Sequence, residues 1–404
     1  MPPTRYLPPN EPFSFTRRDF VRSVGVGAAA TGGVILGVPH LLADETPLAE
    51  IETNIADFMK VPKGPRAIPG SFPGRVVRVT DPRSIQKDRV DAKTVSRMFN
   101  RGLKALTGVG TGPSFKLFFD RKDIVGIKVN PAGAQRMSTH PELIDAVIEW
   151  LTDCGLPRGN IVIWDRFEDM LAETGYTSKR FPGVRIVGLQ RMPEDDKPWR
   201  AADGSHPSAA NFDPDVFYFA KGVVGKGVAG YSDDDYYLRQ HVVNGEVSNF
   251  GRLVTRELTK IINLAVFKNT GNGVSMATKN LGYGAINNTG RLHQPLFFRV
   301  CTEVLAAPCL RDKLVLNMID GLWAQYDGGP MYAEAFAIPH NTLYFATDPF
   351  ALDMVGQQEI VAMRKAKGVK VNEHPRFTEY LYQAERLGLG VATPNRIKLV
   401  VEQV

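Results

Sequence analysis

From residue 123 onward, short apolar runs rich in Val and Ile alternate with segments of helical periodicity. The runs at 123–130, 160–166 and 184–189 have the length and β-branched content of buried strands. Residues 139–155 lie between the first two runs and carry apolar side chains at helical spacing. Strands that alternate with helices of this length predict parallel pairing through right-handed crossovers. We therefore expect an α/β fold with a mixed, mostly parallel sheet flanked by helices.

Local signals predict where two helices begin or end. Thr139 and Glu142 have the spacing of a capping box, and Gly155 is a typical stop for the helix that follows. Asp348 precedes Pro349 at the start of a second long helical pattern, so we expect Asp348 to cap that helix.

Length and composition favour one main domain. A chain of 404 residues with 43% hydrophobic content can bury a full core. We predict a signal segment at 1–43, an N-terminal segment at 44–122 whose proline-rich part, 44–75, is an extended lead-in, and an α/β domain at 123–404. Residues 190–250 are rich in Asp, Gly, Tyr and Pro and read as an insertion in this domain.

The N-terminus has the pattern of an export signal. The run from Thr16 to Arg22 contains the pair Arg17-Arg18 and then Phe20, and a Gly/Ala-rich, weakly apolar stretch follows. This order resembles a twin-arginine signal, which implies a periplasmic location and passage through the twin-arginine translocase. Because Leu41-Leu42-Ala43 is a poor cleavage site, a retained signal that anchors the chain to the membrane stays open as an alternative.

Charge and cysteine content exclude several classes of function. The net charge is only +6, and no run of five Lys or Arg residues occurs, so nucleic-acid binding has no support. Cys154, Cys301 and Cys309 are widely spaced and form no C-x-x-C pair. The usual iron–sulfur and structural zinc frameworks are therefore not predicted, and the thiols are expected to be free and buried, with a Cys301–Cys309 disulfide as the alternative. The cofactor, if there is one, stays unknown.

Two weak patterns lie in the predicted insertion. Gly225, Gly227 and Gly230 match the spacing of a dinucleotide fingerprint, but the acidic run Asp233–Asp235 that follows would repel a phosphate. The same run with His241 has ligands suited to a hard cation. We interpret the segment as a solvated acidic loop.

Lysine and asparagine residues follow the predicted strands. Lys128, Asn130 and Asp165 lie at the carboxyl ends of two strands, and Lys268 lies at the end of a third, at 260–269. Ligands of open parallel sheets gather at such ends. Ammonium groups and amide donors together predict a pocket for a carboxylate or a phosphate. The alternative is that these lysines only reach solvent from ordinary turns.

Two groups of candidate residues follow from this pattern. A lysine crowded by other cations has a lowered pKa and can act as a base or as a Schiff-base nucleophile. We predict catalytic roles for Lys268, Lys279 and Asp320. We predict ligand-binding roles for Lys128, Asn130, Asn280, Asp353 and His293.

Four segments in order resemble the family known as domain of unknown function 362. They are "VGIKVN" with "THPELIDAVIEWLTDCG", "IINLAVFKNTGNGVSMATKNLGYG", "NMIDGLWAQYDGGP" and "LYFATDPFALDMVG". The family positions that match here are Lys128, Asn130, Lys268, Lys279, Asn280, Asp320, Gly329, Pro330, Asp348 and Asp353. Some relatives are fused to ferredoxin-like modules, so the resemblance implies a link to redox chemistry, although this chain has no cysteine motif for a cluster.

Three functional hypotheses remain. The first is an exported α/β enzyme, of oxidoreductase type, that binds an anionic small molecule or cofactor. The second is a non-catalytic periplasmic binding or maturation factor. The third is a metal-dependent enzyme that uses Asp320, Asp353 and His293.

Overall fold

One large sheet organises the chain. The computed structural model describes residues 51–133, 135–191, 208–224, 245–293 and 296–404. The strands are β1 (Arg75–Thr80), β2 (Ile85–Gln86), β3 (Arg89–Val90), β4 (Val125–Lys128), β5 (Ile161–Phe167), β6 (Arg185–Gln190), β7 (Phe212–Phe219), β8 (Val247–Gly251), β9 (Lys260–Thr270), β10 (Gly273–Val274), β11 (Leu314–Gln325), β12 (Ala337–Ala346) and β13 (Lys398–Gln403).

Helices cover both faces of this sheet. They are α1 (Ile55–Lys60), α2 (Ala92–Thr107), α3 (Thr111–Phe118), α4 (Pro141–Asp153), α5 (Glu168–Glu173), α6 (Ala277–Gly282), α7 (Arg299–Leu305), α8 (Pro308–Arg311), α9 (Pro349–Ala366) and α10 (Glu379–Arg386). The longest, α9, begins as predicted, because the Asp348 carboxylate accepts from the N–H groups of Phe350 and Ala351 at 3.1 and 3.0 Å.

The sheet is mixed and mostly parallel, which confirms the predicted fold class. Its strand order is β13-β1-β12-β11-β9-β4-β5-β6, and β10 pairs with β9 as a hairpin. β12 runs antiparallel to both of its neighbours, whereas β11, β9, β4, β5 and β6 are parallel to one another.

The order in which strands are added to the sheet reverses at β4. After β4 it adds β5 and β6 on one side, and β9 then pairs with β4 on the other side. The helices after these two strands pack on opposite faces: Ile144 and Val147 of α4 pack with Ile127, whereas Leu281 of α6 packs with Trp164. Open α/β sheets bind ligands at such a switch point, which here lies at the carboxyl ends of β4 and β9.

Two expectations need correction. Thr139 does not cap α4; its hydroxyl donates to the Leu264 carbonyl at 2.8 Å and accepts from the Asn130 N–H at 2.9 Å, while His140 is the cap residue. Thr139 therefore ties the loop after β4 to β9. The extended lead-in predicted over 44–75 is wrong for 55–60, which form α1. Residues 75–118 also contribute β1 to the sheet and α2 and α3 to one of its faces.

Several sequence predictions concern residues outside the described ranges. The export signal and both weak patterns at 225–241 are among them. Of the predicted insertion, β7 and β8 are described, and they pair with each other rather than with the main sheet. No helix in the described ranges has both the length and the apolar character required to cross a bilayer. Cys154, Cys301 and Cys309 are free thiols, and only Cys301 is fully buried.

Candidate functional site

A row of polar residues crosses the centre of the sheet beneath α6. Lys128, Asn263 and Asn317 are register partners on the parallel strands β4, β9 and β11. The Asn263 amide donates to the Asn317 Oδ1 at 3.0 Å, and all three side chains are buried. A buried polar group is retained only when it is hydrogen-bonded, so this row needs partners from the helix above it.

Helix α6 supplies those partners through Asn280. The Asn280 Oδ1 accepts from the Lys128 Nζ and from the Asn130 amide, each at 3.1 Å. Its own amide donates to the Asn263 Oδ1 at 2.8 Å. One side chain thus satisfies three others, and its orientation is determined by all of them.

Asp353 of α9 holds the start of α6 in place. Its carboxylate accepts from the N–H groups of Ala277 and Thr278 at 2.8 and 2.9 Å, and from the Thr278 hydroxyl. These are the first N–H groups of α6, which the helix itself leaves unpaired. Asp353 therefore positions α6 and, through it, Asn280.

Lys128 is saturated by its surroundings. Its Nζ donates to the Val129 carbonyl at 2.8 Å, to Asn280 at 3.1 Å and to the Asp165 carboxylate. Three acceptors require the three N–H bonds of an ammonium ion. Burial lowers the pKa of Lys128, and the charge of Asp165 opposes that shift. Gly284 makes room, since a Cβ there would lie 2.5 Å from the Lys128 Cε.

The Lys268 amine has few polar partners among the described residues. Its Nζ donates to the Asn130 Oδ1 at 3.0 Å, and within the described residues it makes no ion pair, although its side chain is buried. Burial and the nearby charge of Lys279 lower the pKa of Lys268 to about 7. The amine is therefore near the midpoint of its titration at neutral pH.

Lys279 lies among aromatic rings. Its Nζ is 4.7 Å from the centroid of the Phe297 ring and 5.3 Å from that of Tyr283. Burial lowers its pKa to about 8, while the aromatic faces favour the charged form. Lys279 is thus an ammonium ion at neutral pH, and no carboxylate of the described chain pairs with it.

His293 lies in the same aromatic cluster as this lysine. Its Nδ1 lies 2.9 Å from the Thr289 carbonyl oxygen, and its ring centroid is 4.9 Å from that of Tyr283. Burial and the charge of Lys279 lower the pKa of His293 to about 3. The imidazole is therefore neutral at ordinary pH and contributes no charge to the site.

Asp320 lies elsewhere. Its carboxylate accepts from the backbone N–H of His140 at 2.7 Å and contacts the His140 Nδ1 at 2.9 Å, at the start of α4. That helix packs on the face of the sheet opposite α6 and α9, so Asp320 and Asp353 are separated by the sheet. No group of three or more His, Cys, Asp or Glu side chains in the described part of the chain is arranged to hold a metal ion.

The structure therefore brings together most of the predicted site residues. The residues that lie close together, at the carboxyl ends of β4 and β9 and on the segment around α6, are Lys128, Asn130, Lys268, Lys279, Asn280 and His293. Asp353 positions this group indirectly, by holding the start of α6. Asp320 lies on the other face of the sheet. Among the described residues, only Lys128 of the three lysines pairs with a carboxylate, that of Asp165, so the cluster has an excess of positive charge.

Asn263 and Asn317 are the residues that the sequence prediction missed. Each stands alone inside a long apolar strand, "IINLAVF" and "LVLNMI", and both are completely buried. A single amide in such a run is itself a signal, because a buried strand retains a polar group only where another element hydrogen-bonds to it. The strand sequence alone does not show which element supplies those hydrogen bonds.

Comparison with known proteins gives limited further information. No curated protein matches this chain. Residues 228–358 match the family model described as Domain of unknown function (DUF362), and over this range the chain is similar to that family. The range contains the last three of the four segments quoted above, together with Lys268, Lys279, Asn280 and Asp353. Lys128 and Asn130 lie outside it.

Proposed function

We propose that this chain binds an anionic small molecule or cofactor at the carboxyl ends of β4 and β9, beside α6. The observation that carries the proposal is the pair Lys268 and Lys279, which are buried and make no ion pair with any described carboxylate. A buried charge without a partner is costly, and a bound carboxylate or phosphate would supply the partner. The position at the point where the strand order reverses also favours a ligand site.

The three lysines differ in how many hydrogen-bond donors they can offer to a negatively charged ligand. Lys128 already has Asp165 and two further acceptors. Within the described residues, Lys268 donates only to the Asn130 amide oxygen, which turns it toward the segment after β4, and Lys279 donates no hydrogen bond. The anion is therefore contacted by Lys268 and Lys279. Lys128 and Asn280 hydrogen-bond to the protein and hold the strands and α6 in position around it.

Calorimetric titration of the purified full-length protein tests this proposal. Inorganic phosphate, acetate and pyruvate are the probes, and small molecules released by denaturing the natively purified protein are identified by mass spectrometry. We expect Lys268→Met and Lys279→Met to abolish binding without a large loss of stability. A bound anion at a concentration of 100 Kd should raise the unfolding free energy of the wild type by about 2.7 kcal/mol.

Lys313→Met is the matched control. Lys313 is half-buried, and burial lowers its pKa as it does those of Lys268 and Lys279. It lies before β11, at the opposite end of the sheet, and donates to the Val254 carbonyl at 2.6 Å. This variant should bind anions as the wild type does. If Lys268→Met and Lys279→Met unfold, or bind as tightly as the wild type, the lysines are structural and the proposal is wrong.

We also propose that the protein acts after twin-arginine export. Support comes from the sequence of the N-terminus, with Arg17-Arg18 ahead of a Gly/Ala-rich stretch. Cell fractionation of the wild type and of an Arg17→Lys, Arg18→Lys double variant tests this. The wild type should be found in the periplasmic fraction and the variant should accumulate in the cytoplasm; equal distribution of the two would contradict export by this route.

A further inference from the structure

We infer that Lys268 is a covalent nucleophile and that the ligand is an oxo acid, a molecule that carries both a carbonyl group and a carboxylate. The inference rests on the proposed anion site and names its ligand class. Lys279 binds the carboxylate, and the Nζ of Lys268 forms an imine with the carbonyl carbon. The geometry of the three lysines separates their roles.

Lys128 and Lys268 lie in the same cluster but differ in how their nitrogen atoms are used. All three N–H bonds of Lys128 reach acceptors, so its nitrogen has no lone pair to offer. Lys268 makes one hydrogen bond, to an amide oxygen, and no ion pair within the described ranges. A neutral amine can keep that hydrogen bond and still present its lone pair to a ligand.

Lys279 supplies the charge that a nucleophilic lysine requires nearby. Its ammonium group is held against the Phe297 and Tyr283 rings, which cannot neutralise it as a carboxylate would. The resulting field favours the uncharged form of Lys268 and attracts a carboxylate ligand. One positive charge thus both activates the nucleophile and orients the substrate.

The protonation of the two amines agrees with these roles. The pKa of Lys268 is lowered to about 7 and that of Lys279 to about 8. At neutral pH a substantial fraction of Lys268 is the free amine, whereas Lys279 is mostly charged. An exposed lysine has very little free amine under the same conditions.

Imine formation balances without any further reagent. The Nζ lone pair forms a C–N bond with the carbonyl carbon, and the carbonyl π electrons move to oxygen. Both amine hydrogens leave with that oxygen as water, and a proton from solvent completes the iminium ion. The iminium carbon then withdraws electrons from the adjacent carbon atoms, as in other lysine-dependent covalent catalysis.

Reductive trapping of the full-length wild-type protein tests the inference. The protein is incubated with pyruvate and cyanoborohydride at pH 7, and the modified residue is mapped by peptide mass spectrometry. We expect a reduced pyruvyl adduct on Lys268, none on Lys128, and protection by excess acetate. Lys313→Met should be trapped like the wild type, and Lys268→Met should not be trapped.

Lys279→Met provides a second readout that does not depend on losing the nucleophile. Without the charge of Lys279, the pKa of Lys268 rises, so the pH midpoint of trapping should move upward. Trapping at pH 7 should slow at least tenfold for each unit of that shift, and the residual trapping, which no longer depends on a bound carboxylate, should still accelerate with pH up to the new midpoint. A purely structural Lys279 would leave the midpoint unchanged.

Each negative result has a distinct meaning. Anion binding without an adduct on Lys268 would overturn the covalent inference and leave the proposed function in place. Adducts confined to other lysines would also overturn it. Failure of the wild type both to bind anions and to be trapped would overturn the proposed function together with the inference.

Discussion

The amide oxygen of Asn130 accepts a hydrogen bond from the Nζ of Lys268 at 3.0 Å, and this contact joins the segment after β4 to the end of β9. The two residues lie at neighbouring strand ends, although 138 positions separate them in the sequence. The contact leaves most of the hydrogen-bonding capacity of the Lys268 amine unused. It therefore holds the side chain in place without fixing its charge.

The titration of Lys268 should appear in the pH dependence of stability. Between pH 7 and 10.5 the unfolded chain binds a proton at this lysine and the folded protein does not, because the folded pKa is about 7 against an ordinary value of 10.5. The unfolding free energy of the wild type, minus that of Lys268→Met, should therefore increase by about 1.4 kcal/mol per pH unit over this range. Below pH 7 the difference should be constant.

Urea denaturation of both proteins at several pH values measures this difference. Subtracting the variant removes the contributions of other groups, including Cys301, whose pKa is raised to about 12 by burial and whose titration acts in the opposite direction. Parallel curves for the two proteins would show that Lys268 keeps an ordinary pKa.

Asp165→Asn should destabilise the protein by about 3–5 kcal/mol, because it leaves the buried ammonium of Lys128 without its carboxylate. Asp145→Asn is the control: it breaks the pair with Arg180, in which both side chains are more than a third exposed, and should cost less than about 1 kcal/mol. Denaturant unfolding compares the two. Equal costs would mean that Lys128 does not depend on Asp165.

Gly284→Ala should cost about 1–3 kcal/mol through overcrowding. A Cβ at this position would lie 2.2 Å from the Asn280 carbonyl oxygen and 2.8 Å from the Lys128 Nζ, and the backbone oxygen cannot move aside. At Gly159 no other atom lies within 4 Å of an added Cβ, so Gly159→Ala should change stability by less than about 0.5 kcal/mol. Thermal or urea unfolding distinguishes the two outcomes, and a neutral Gly284→Ala would refute the close packing over Lys128.

Asp320→Asn should lower the pKa of His140. Burial alone disfavours the charged imidazole, but the Asp320 carboxylate outweighs burial and raises the pKa of His140 above its ordinary value. Proton NMR titration of the His140 ring in the wild type and the variant measures the shift. Asp145→Asn, on the exposed side of the same helix, should leave this pKa unchanged. An unchanged midpoint in Asp320→Asn would show that the 2.9 Å contact carries no charge interaction.

The strands and helices near the site were largely predictable because their signals are local. Alternation of apolar runs with helical periodicity identified β4, β5, β6 and β9, and the carboxyl end of a parallel strand is a ligand position in any such sheet. Lys128, Asn130 and Lys268 were predicted on that basis, and the structure places them together. The capping box at Thr139 failed because a contact with Leu264, distant in sequence, uses the hydroxyl instead.

The sequence by itself determined the α/β class, the strand ends at which lysine and asparagine side chains occur, and the Asp348 cap, since each depends on neighbours within a few positions. Only the tertiary structure decided which lysine is neutralised. Lys128 donates to Asp165 and Asn280, whereas Lys268, among the residues that the structure describes, donates only to Asn130 and lies near Lys279. The strand order also separates Asp320 from Asp353 by the thickness of the sheet. Charge compensation depends on distances across the folded chain, and these are not encoded in local spacing.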